Sequence, residues 1–243
     1  MATSEDGYFD EAVAAHYDDA ESEMFDPAVV EATVDFLAEL AGSGRALELG
    51  IGTGRIAVSL AQRGVPVHGI DLSKAMVARL REKPGAEKIG VTIGDFATTT
   101  VDGTFSVAYL VFNTISNLTT QAAQVACFRN VAAHLDPGGC FVVEVGVGGG
   151  EPLRVFDFTD THVGIDEYEA ATQRLVSHHF ELVDGRWQRL SIPFRSASPG
   201  ELDLMAELAG MRLRERWSGW KREPFTSESR KHVSVWEKPS GDS

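Results

Sequence analysis

The chain has 243 residues, with 22 Lys and Arg against 36 Asp and Glu, a formal net charge of −14. That length fits one domain with a sizeable core, and 43% apolar with 24% charged residues is an ordinary globular balance. The acidity repels a polyphosphate before any contact forms, so no nucleic-acid partner is expected.

In chain order, residues 8–42 form an acidic N-terminal cap of helices. Residues 8–18 carry a partly amphipathic helical pattern, and residues 27–40 place Val30, Val34, Leu37 and Leu40 at helical spacing. Through residues 44–145 short apolar runs alternate with helical patterns. The runs at 46–49, 65–70, 89–93, 105–112 and 141–145 have the length and β-branched content of strands buried on both faces. Helices are predicted between them at 56–62, 73–82 and 121–135, the last stopped by Asp136-Pro137-Gly138-Gly139.

Gly146-Val147-Gly148-Gly149-Gly150 then breaks the alternation. Two extended segments in residues 172–194 meet at Asp184-Gly185, a two-residue turn signal, so residues 151–197 are assigned to an inserted antiparallel hairpin. Residues 198–239 supply a last helix, with Leu202, Met205 and Leu208 as its stripe, and two strands, 211–217 and 231–237, that pair antiparallel. The expected fold class is α/β in a single domain, residues 1–243. Its core is a three-layer, doubly wound, mostly parallel seven-stranded sheet with an antiparallel final strand and an inserted β-hairpin.

No apolar run reaches the roughly 20 residues that span a bilayer, so no membrane is expected as a partner. Residues 1–6 lack the basic-then-apolar pattern of a signal peptide. Cys127 and Cys140 make no disulfide framework, and no Cys/His group has metal-ligand spacing, so no metal is expected. A cytoplasmic location follows as the expectation.

The sharpest motif is Glu48-Leu49-Gly50-Ile51-Gly52-Thr53-Gly54-Arg55, between a buried strand and a helix. Glycines there let the backbone turn tightly and approach a ligand, and the helix N-terminus adds partial positive charge. A dinucleotide-binding turn would place its third glycine at position 55, where this chain has arginine. Glu48, two residues before the first glycine, suits a ligand carrying positive charge and suits a pyrophosphate poorly. Asp71 ends the next strand and can accept hydrogen bonds from a ribose diol; Asp95, in Gly94-Asp95-Phe96, ends the one after. Both are also residue types that serve as turn residues or helix caps.

With these motifs the chain resembles the class I S-adenosylmethionine-dependent methyltransferases of the small-molecule type, a Rossmann-like fold. The resemblance rests on the Glu48–Gly54 motif, Asp71-Leu72-Ser73, Gly94-Asp95-Phe96 and residues 105–113. It implies S-adenosylmethionine as cofactor, with Gly50, Gly52 and Gly54 under its methionine part and Glu48 near the ammonium. Asp71 would hold the ribose, Leu72 and Met76 would flank the adenine, and Asp95 with Phe96 would contact its amine and face. Val111, Phe112 and Asn113 would line the methyl donor, and Tyr17, in a covering N-terminal segment, would reach the methionine carboxylate. The alternative for Leu72, Met76 and Phe112 is core packing, and for Phe9, Val13 and Tyr17 a surface helix on the sheet edge.

The implied activity is methyl transfer to an O or N atom of a small-molecule acceptor, by a monomer or homodimer. The same fold also serves protein or tRNA methyltransferases and non-catalytic binders of the cofactor. Two candidate bases stand on the acceptor side: His178 in the hairpin, on one face with Val176, Phe180, Leu182 and Trp187, and Glu144 at the end of the fifth strand. His178 has the competing use of a hydrogen-bonded sheet residue, and Glu144 that of binding a cationic acceptor. Asn113 and Asn117 can orient polar groups. Trp217, Trp220 and Phe225, interleaved with Lys221 and Arg222, either grip an acceptor or partner or close a core edge.

Overall fold

The computed structural model describes residues 7–19 and 23–240; the parts of the acidic N-terminal segment at residues 1–6 and 20–22 lie outside the described residues. Helices α1 (Glu11–Ala14) and α2 (Pro27–Ala41) precede a core of β1 (Ala46–Leu49), α3 (Ala57–Gln62), β2 (Val67–Asp71), α4 (Lys74–Arg81), β3 (Gly90–Ile93), β4 (Phe105–Leu110), α5 (Gln121–His134) and β5 (Leu135–Gly146). An insert follows, β6 (Leu153–Phe158), β7 (His162–Glu169), β8 (Arg174–Val183) and β9 (Arg186–Arg195), and then α6 (Pro199–Leu208), β10 (Arg212–Trp217) and β11 (Lys231–Glu237).

Local chemistry sets the helix starts. Asp26 accepts from the Ala28 amide, Ser73 from Met76 and Thr120 from Ala123, each satisfying an amide that the first helical turn leaves open. The N-terminal cap is less helical than its pattern suggests: after the Asp10-capped turn of α1, the chain tightens to a 3₁₀ turn at Tyr17–Asp19.

The main sheet has the order β10-β11-β5-β4-β1-β2-β3. β1 to β5 pair in parallel, and β11 runs antiparallel to both β5 and β10, as expected of the last strand pair. From Val107 on, alternate residues of β4 feed the two sides: Ala108 and Leu110 pack towards α5 and α6, Val107 and Tyr109 towards α2 and α3, while Phe105, before the register shift, joins the first side. On the first side Phe128, Phe141 and Trp236 meet edge-on or tilted, with centroids 5.0 to 6.1 Å apart. β5 is longer than the 141–145 run. Its bulge absorbs the residues that end α5, so Phe105 pairs with Leu135 but Val107 with Cys140.

The insert is larger than a hairpin. β8 and β9 are joined at Asp184 (φ 51°) and Gly185 (φ 73°), the two left-handed positions of a primed turn. β7 and β6 extend them into a four-stranded antiparallel sheet, β6-β7-β8-β9. Sequence patterning missed β6 because Leu153, Val155 and Phe158 are exposed, so apolar does not mean buried there. A bulge between Val155 and Asp157 breaks the alternation as well.

This accessory sheet is rooted by a buried cation. Arg195 donates to Gln124, Gln173 and Glu201 at 2.5 to 2.6 Å, and the Gln124 amide donates to the carbonyls of both Ile115 and Arg195. Burial alone would raise the Glu201 carboxyl, but hydrogen bonds from Arg195, Gln173 and Gln121 hold it below the ordinary Glu range. Arg195→Met should therefore destabilise the protein by about 3 kcal/mol at pH 7, because Glu201 is left without its cation. A group with a depressed pKa stabilises above its unfolded value and ceases to as the pH falls. Thermal melts should accordingly show the gap between wild type and variant closing below about pH 4.5.

Candidate active site

The ends of β1, β2, β3 and β4 converge on one edge of the main sheet, where ligands bind in open α/β folds. At its centre Gly50, Gly52 and Gly54 all have positive φ, 69°, 52° and 77°. Side chains there would also collide with neighbours: a Cβ on Gly50 would lie 2.6 Å from Thr114 and one on Gly54 2.2 Å from Leu80. Only glycine satisfies both limits.

Asp71 locks this turn. Its Oδ2 accepts from the Gly52 amide at 2.6 Å and its Oδ1 from the Ser73 amide at 2.8 Å. A carboxylate accepts up to about four bonds, so this one can hold the turn and a ligand diol together. Leu72, beside it, is 49% exposed, whereas Met76 is buried with its methyl against Gly52.

Glu48 is buried beneath the turn and accepts a 3.0 Å hydrogen bond from the Tyr109 hydroxyl. Burial pushes its carboxyl up to about 8, although Tyr109 and the Arg55 guanidinium pull the other way. The same burial raises the Tyr17 phenol, which lies within the field of Arg55, Asp71 and Glu48.

The N-terminal segment covers this edge. Ser73 donates to the Phe9 carbonyl at 2.5 Å, Thr53 to Asp18 at 2.6 Å and Arg55 to the Met24 carbonyl at 2.6 Å. Lys83 pairs with Asp18 at 2.6 Å, and Arg79 with Glu11. Tyr17 stands between the rings of Phe9 and Phe25, 6.2 and 6.0 Å away. Thr53, Arg55 and Asp18 make contacts between cover and turn that sequence patterning does not reveal. In the sequence Arg55 stands out only as the residue where a dinucleotide motif has glycine.

At the end of β3, Asp95 is exposed and caps its own turn by accepting from the Ala97 amide at 2.8 Å; Phe96 lies beside Gly50. At the end of β4, Phe112 (φ 51°) and Asn113 (φ 61°) are consecutive left-handed non-glycine residues, a conformation costing about 1–3 kcal/mol each. Glu144 compensates: its Oε2 accepts from the Phe112 amide at 3.0 Å and its carbonyl from Asn113, while Asn113 Oδ1 accepts from Gly146. The result leaves the Phe112 side chain 42% exposed at the edge and Val111 buried in the core behind it.

His178 is not among the residues gathered at this edge. It lies in the accessory sheet, with Nδ1 2.8 Å from Ser191 Oγ and Nε2 3.4 Å from Glu167. Asn117 donates to the Thr114 carbonyl within the turn after β4. Trp220 is buried edge-on against Phe36, Trp217 packs on the same cluster, Arg222 pairs with Glu39, and Phe225 meets His232 edge-on. These residues close a core edge. The thiols of Cys127 and Cys140 are free and buried. Among the described residues no carboxylate, histidine and cysteine cluster could hold a metal, and no helix is long and apolar enough to cross a membrane.

The residues present fit a cationic amino-acid nucleoside. A positive-φ glycine floor leaves room for its chain, Asp71 offers a diol acceptor, Glu48 a buried acid, and Leu72 and Phe112 apolar walls. Comparisons with known proteins agree. Residues 46–139 match a family model described as a methyltransferase domain. The CcbJ methyltransferase from Streptomyces caelestis is 34% identical and superimposes with a TM-score of 0.87, over 97% of this chain and 99% of that one. The cypemycin N-terminal methyltransferase of a Streptomyces species is 29% identical over 97% of this chain and 99% of its own length. CalS10, an amino pentose methyltransferase from Micromonospora echinaspora solved with S-adenosylmethionine, shares the fold at 21% identity, with a TM-score of 0.64 over 95% and 98% of the two chains. With its acidic strand ends, its glycine turn and a full-length relative at 34% identity, this chain belongs to the class I S-adenosylmethionine-dependent methyltransferases.

Proposed function

We propose that the enzyme methylates a nitrogen or oxygen atom of a small molecule, and that an amine nitrogen is its acceptor. The observation that carries this reading is the acceptor side itself. What stands beside the strained Phe112-Asn113 turn is a four-stranded insert rooted on Arg195, in a chain of net charge −14. Such an insert can roof a small acceptor, and the acidity attracts an amine and repels RNA. Relatives whose printed names specify an amine, the cypemycin N-terminal and amino pentose methyltransferases, support the same choice.

In this reading Gly50, Gly52 and Gly54 underlie the methionine part of the cofactor, with Glu48 near its ammonium and Tyr17 towards its carboxylate. Asp71 holds the ribose, Leu72 and Met76 flank the adenine, and Asp95 and Phe96 contact the adenine amine and face. Val111, Phe112 and Asn113 back the reacting end. When bound, S-adenosylmethionine supplies an electrophilic methyl group on a sulfonium sulfur. The protein's own part is to position the acceptor and exclude water, the larger share of the acceleration for such a displacement. Glu144 acts by holding Phe112 and Asn113 in place, and His178, between Ser191 and Glu167, is a hydrogen-bonded sheet residue.

Labelled cofactor incubated with a 2-amino sugar and with an alanine-terminated tripeptide tests the acceptor class; label on neither, but on a hydroxyl compound or RNA, overturns the amine assignment. In calorimetry, Asp71→Ala should weaken S-adenosylmethionine binding about 10–100-fold, the worth of hydrogen bonds to a charged group; unchanged affinity rules out the ribose role.

Glu48 gives a pH signature. Its folded pKa, about 8, lies above the ordinary 4.5. The free enzyme therefore holds it protonated at pH 7, and a bound ammonium favours its ionised form. Binding should release close to one proton at pH 7, seen as a buffer-dependent enthalpy, and Glu48→Gln should abolish the release. A raised acid pKa stabilises below the unfolded value and loses that contribution as pH rises through the folded one. Without cofactor, Glu48→Gln should therefore melt higher than wild type at pH 8 and alike at pH 4.5.

A further inference from the structure

The accessory sheet contains a chain of four polar side chains that the site described above does not use. Asp157 Oδ2 is 2.6 Å from His162 Nδ1, His162 Nε2 is 3.2 Å from His179 Nδ1, and His179 Nε2 is 3.3 Å from Ser177 Oγ. The chain crosses β6, β7 and β8 on one face, opposite to the face that carries His178.

The sheet is built around it. The bulge between Val155 and Asp157 turns Asp157 towards His162. Gly164 leaves the space that the Phe156 ring fills, since a Cβ there would lie 2.3 Å from that ring, and Phe156 covers His179 edge-on at 5.4 Å. One end is open, with the Asp157 side chain 43% exposed, and the other is closed, with Ser177 7% exposed. Ser177 pairs with Ile192, three residue pairs or about 10 Å from the buried Arg195 root. β9 also packs on the Thr114–Asn117 turn that follows Phe112 and Asn113.

With both histidine rings neutral, the hydrogen bonds run in one direction. The Asp157 carboxylate, held below the ordinary range by its bond to His162, can only accept, so His162 carries its proton on Nδ1. The neutral ring then accepts at Nε2, which puts the His179 proton on Nδ1. His179 Nε2 accepts in turn, so Ser177 must donate its hydroxyl proton. Burial, and then the neighbouring His162, keep His179 below the ordinary histidine range and hence neutral at pH 7. The carboxylates that face it are Glu181, Asp166 and Asp157; on β9 it is opposite Leu190.

We propose that Ser177, His179, His162 and Asp157 form the proton exit of the methyl-transfer reaction, with Ser177 Oγ touching the acceptor. The inference rests on the amine or hydroxyl acceptor proposed above. In the transfer the acceptor's lone pair forms the bond to the methyl carbon, the electrons of the broken carbon–sulfur bond remain on sulfur, and the acceptor has one proton too many. That proton passes to Ser177 Oγ, the serine proton to His179 Nε2, and the His179 Nδ1 proton to His162 Nε2. The chain is left with an imidazolium on His162 beside the Asp157 carboxylate, at the solvent end, from which water takes the proton. Ser177 is catalytic in this scheme, His179 and His162 act through it as the relay, and Asp157 acts through His162, as the residue that sets the tautomers.

Nitrogen-15 spectra of the histidine rings test the wire with neither cofactor nor acceptor present. At pH 7.5 wild type should show His162 and His179 both as the Nδ1–H tautomer, and Asp157→Asn, whose amide can donate, should turn them towards Nε2–H. An Nε2–H tautomer at His179 in the wild type overturns the proposal. Kinetics with whichever amine probe, the amino sugar or the tripeptide, turns over supply the second readout. Ser177→Ala and His179→Gln should lower kcat by about 10–100-fold with the cofactor Kd unchanged. His179→Gln should also lose the acid limb of the kcat profile. Folded variants with wild-type kcat and pH profile overturn the wire. Failure of the wild type on both probes would refute the amine reading instead, and the tautomers alone would then decide the wire.

Discussion

The hydrogen bond from the Gly52 amide to the Asp71 carboxylate joins the turn after β1 to the end of β2, and the rest of the edge is arranged around it. Three residues with positive φ in five positions make a turn with no preference of its own for one shape. A charge-assisted bond of 2.6 Å supplies that preference. Because the other carboxylate oxygen caps Ser73, which caps α4 and also holds the Phe9 carbonyl, one aspartate fixes the turn, the following helix and the covering segment together.

Charge at this edge is sorted by burial. Glu48, the most enclosed acid, is the one displaced upward to about 8; Asp95, exposed, is used as a turn cap. Arg55 sits between them in effect, bonded to the Met24 carbonyl, over the Phe25 ring and close enough to Glu48 to moderate the shift. A glycine at that position would let helix and strand pack closely in a dinucleotide fold. The arginine instead ties the cover down through the Met24 carbonyl.

Much of this was legible in the residue order. The parallel strands show as continuous apolar runs because both of their faces are buried, and the glycine motif and Asp71 show because their chemistry tolerates few substitutes. The accessory sheet was half legible. Asp184-Gly185 betrayed β8 and β9, whereas β6 was hidden by a bulge and by apolar residues that face solvent, and β7 went unrecognised with it. Partnerships across the fold left no trace at all: Thr53 with Asp18 and Arg195 with Glu201 depend on which surfaces meet, and no periodicity encodes that.

Two costly features stand at the end of β4 and in the insert. Phe112 and Asn113 hold a left-handed backbone that a relaxed chain avoids, stabilised by Glu144 and Gly146; in the insert, a bulge and a glycine are given up to align Asp157, His162, His179 and Ser177. Neither feature serves the core, which closes through Phe128, Phe141 and Trp236 without them. Strain and polar order that packing does not require are expected where a reaction needs atoms held in place. Their occurrence at the end of β4 and in the insert is the ground for placing acceptor specificity there in the reading proposed above, with the cofactor on the glycine turn and Asp71.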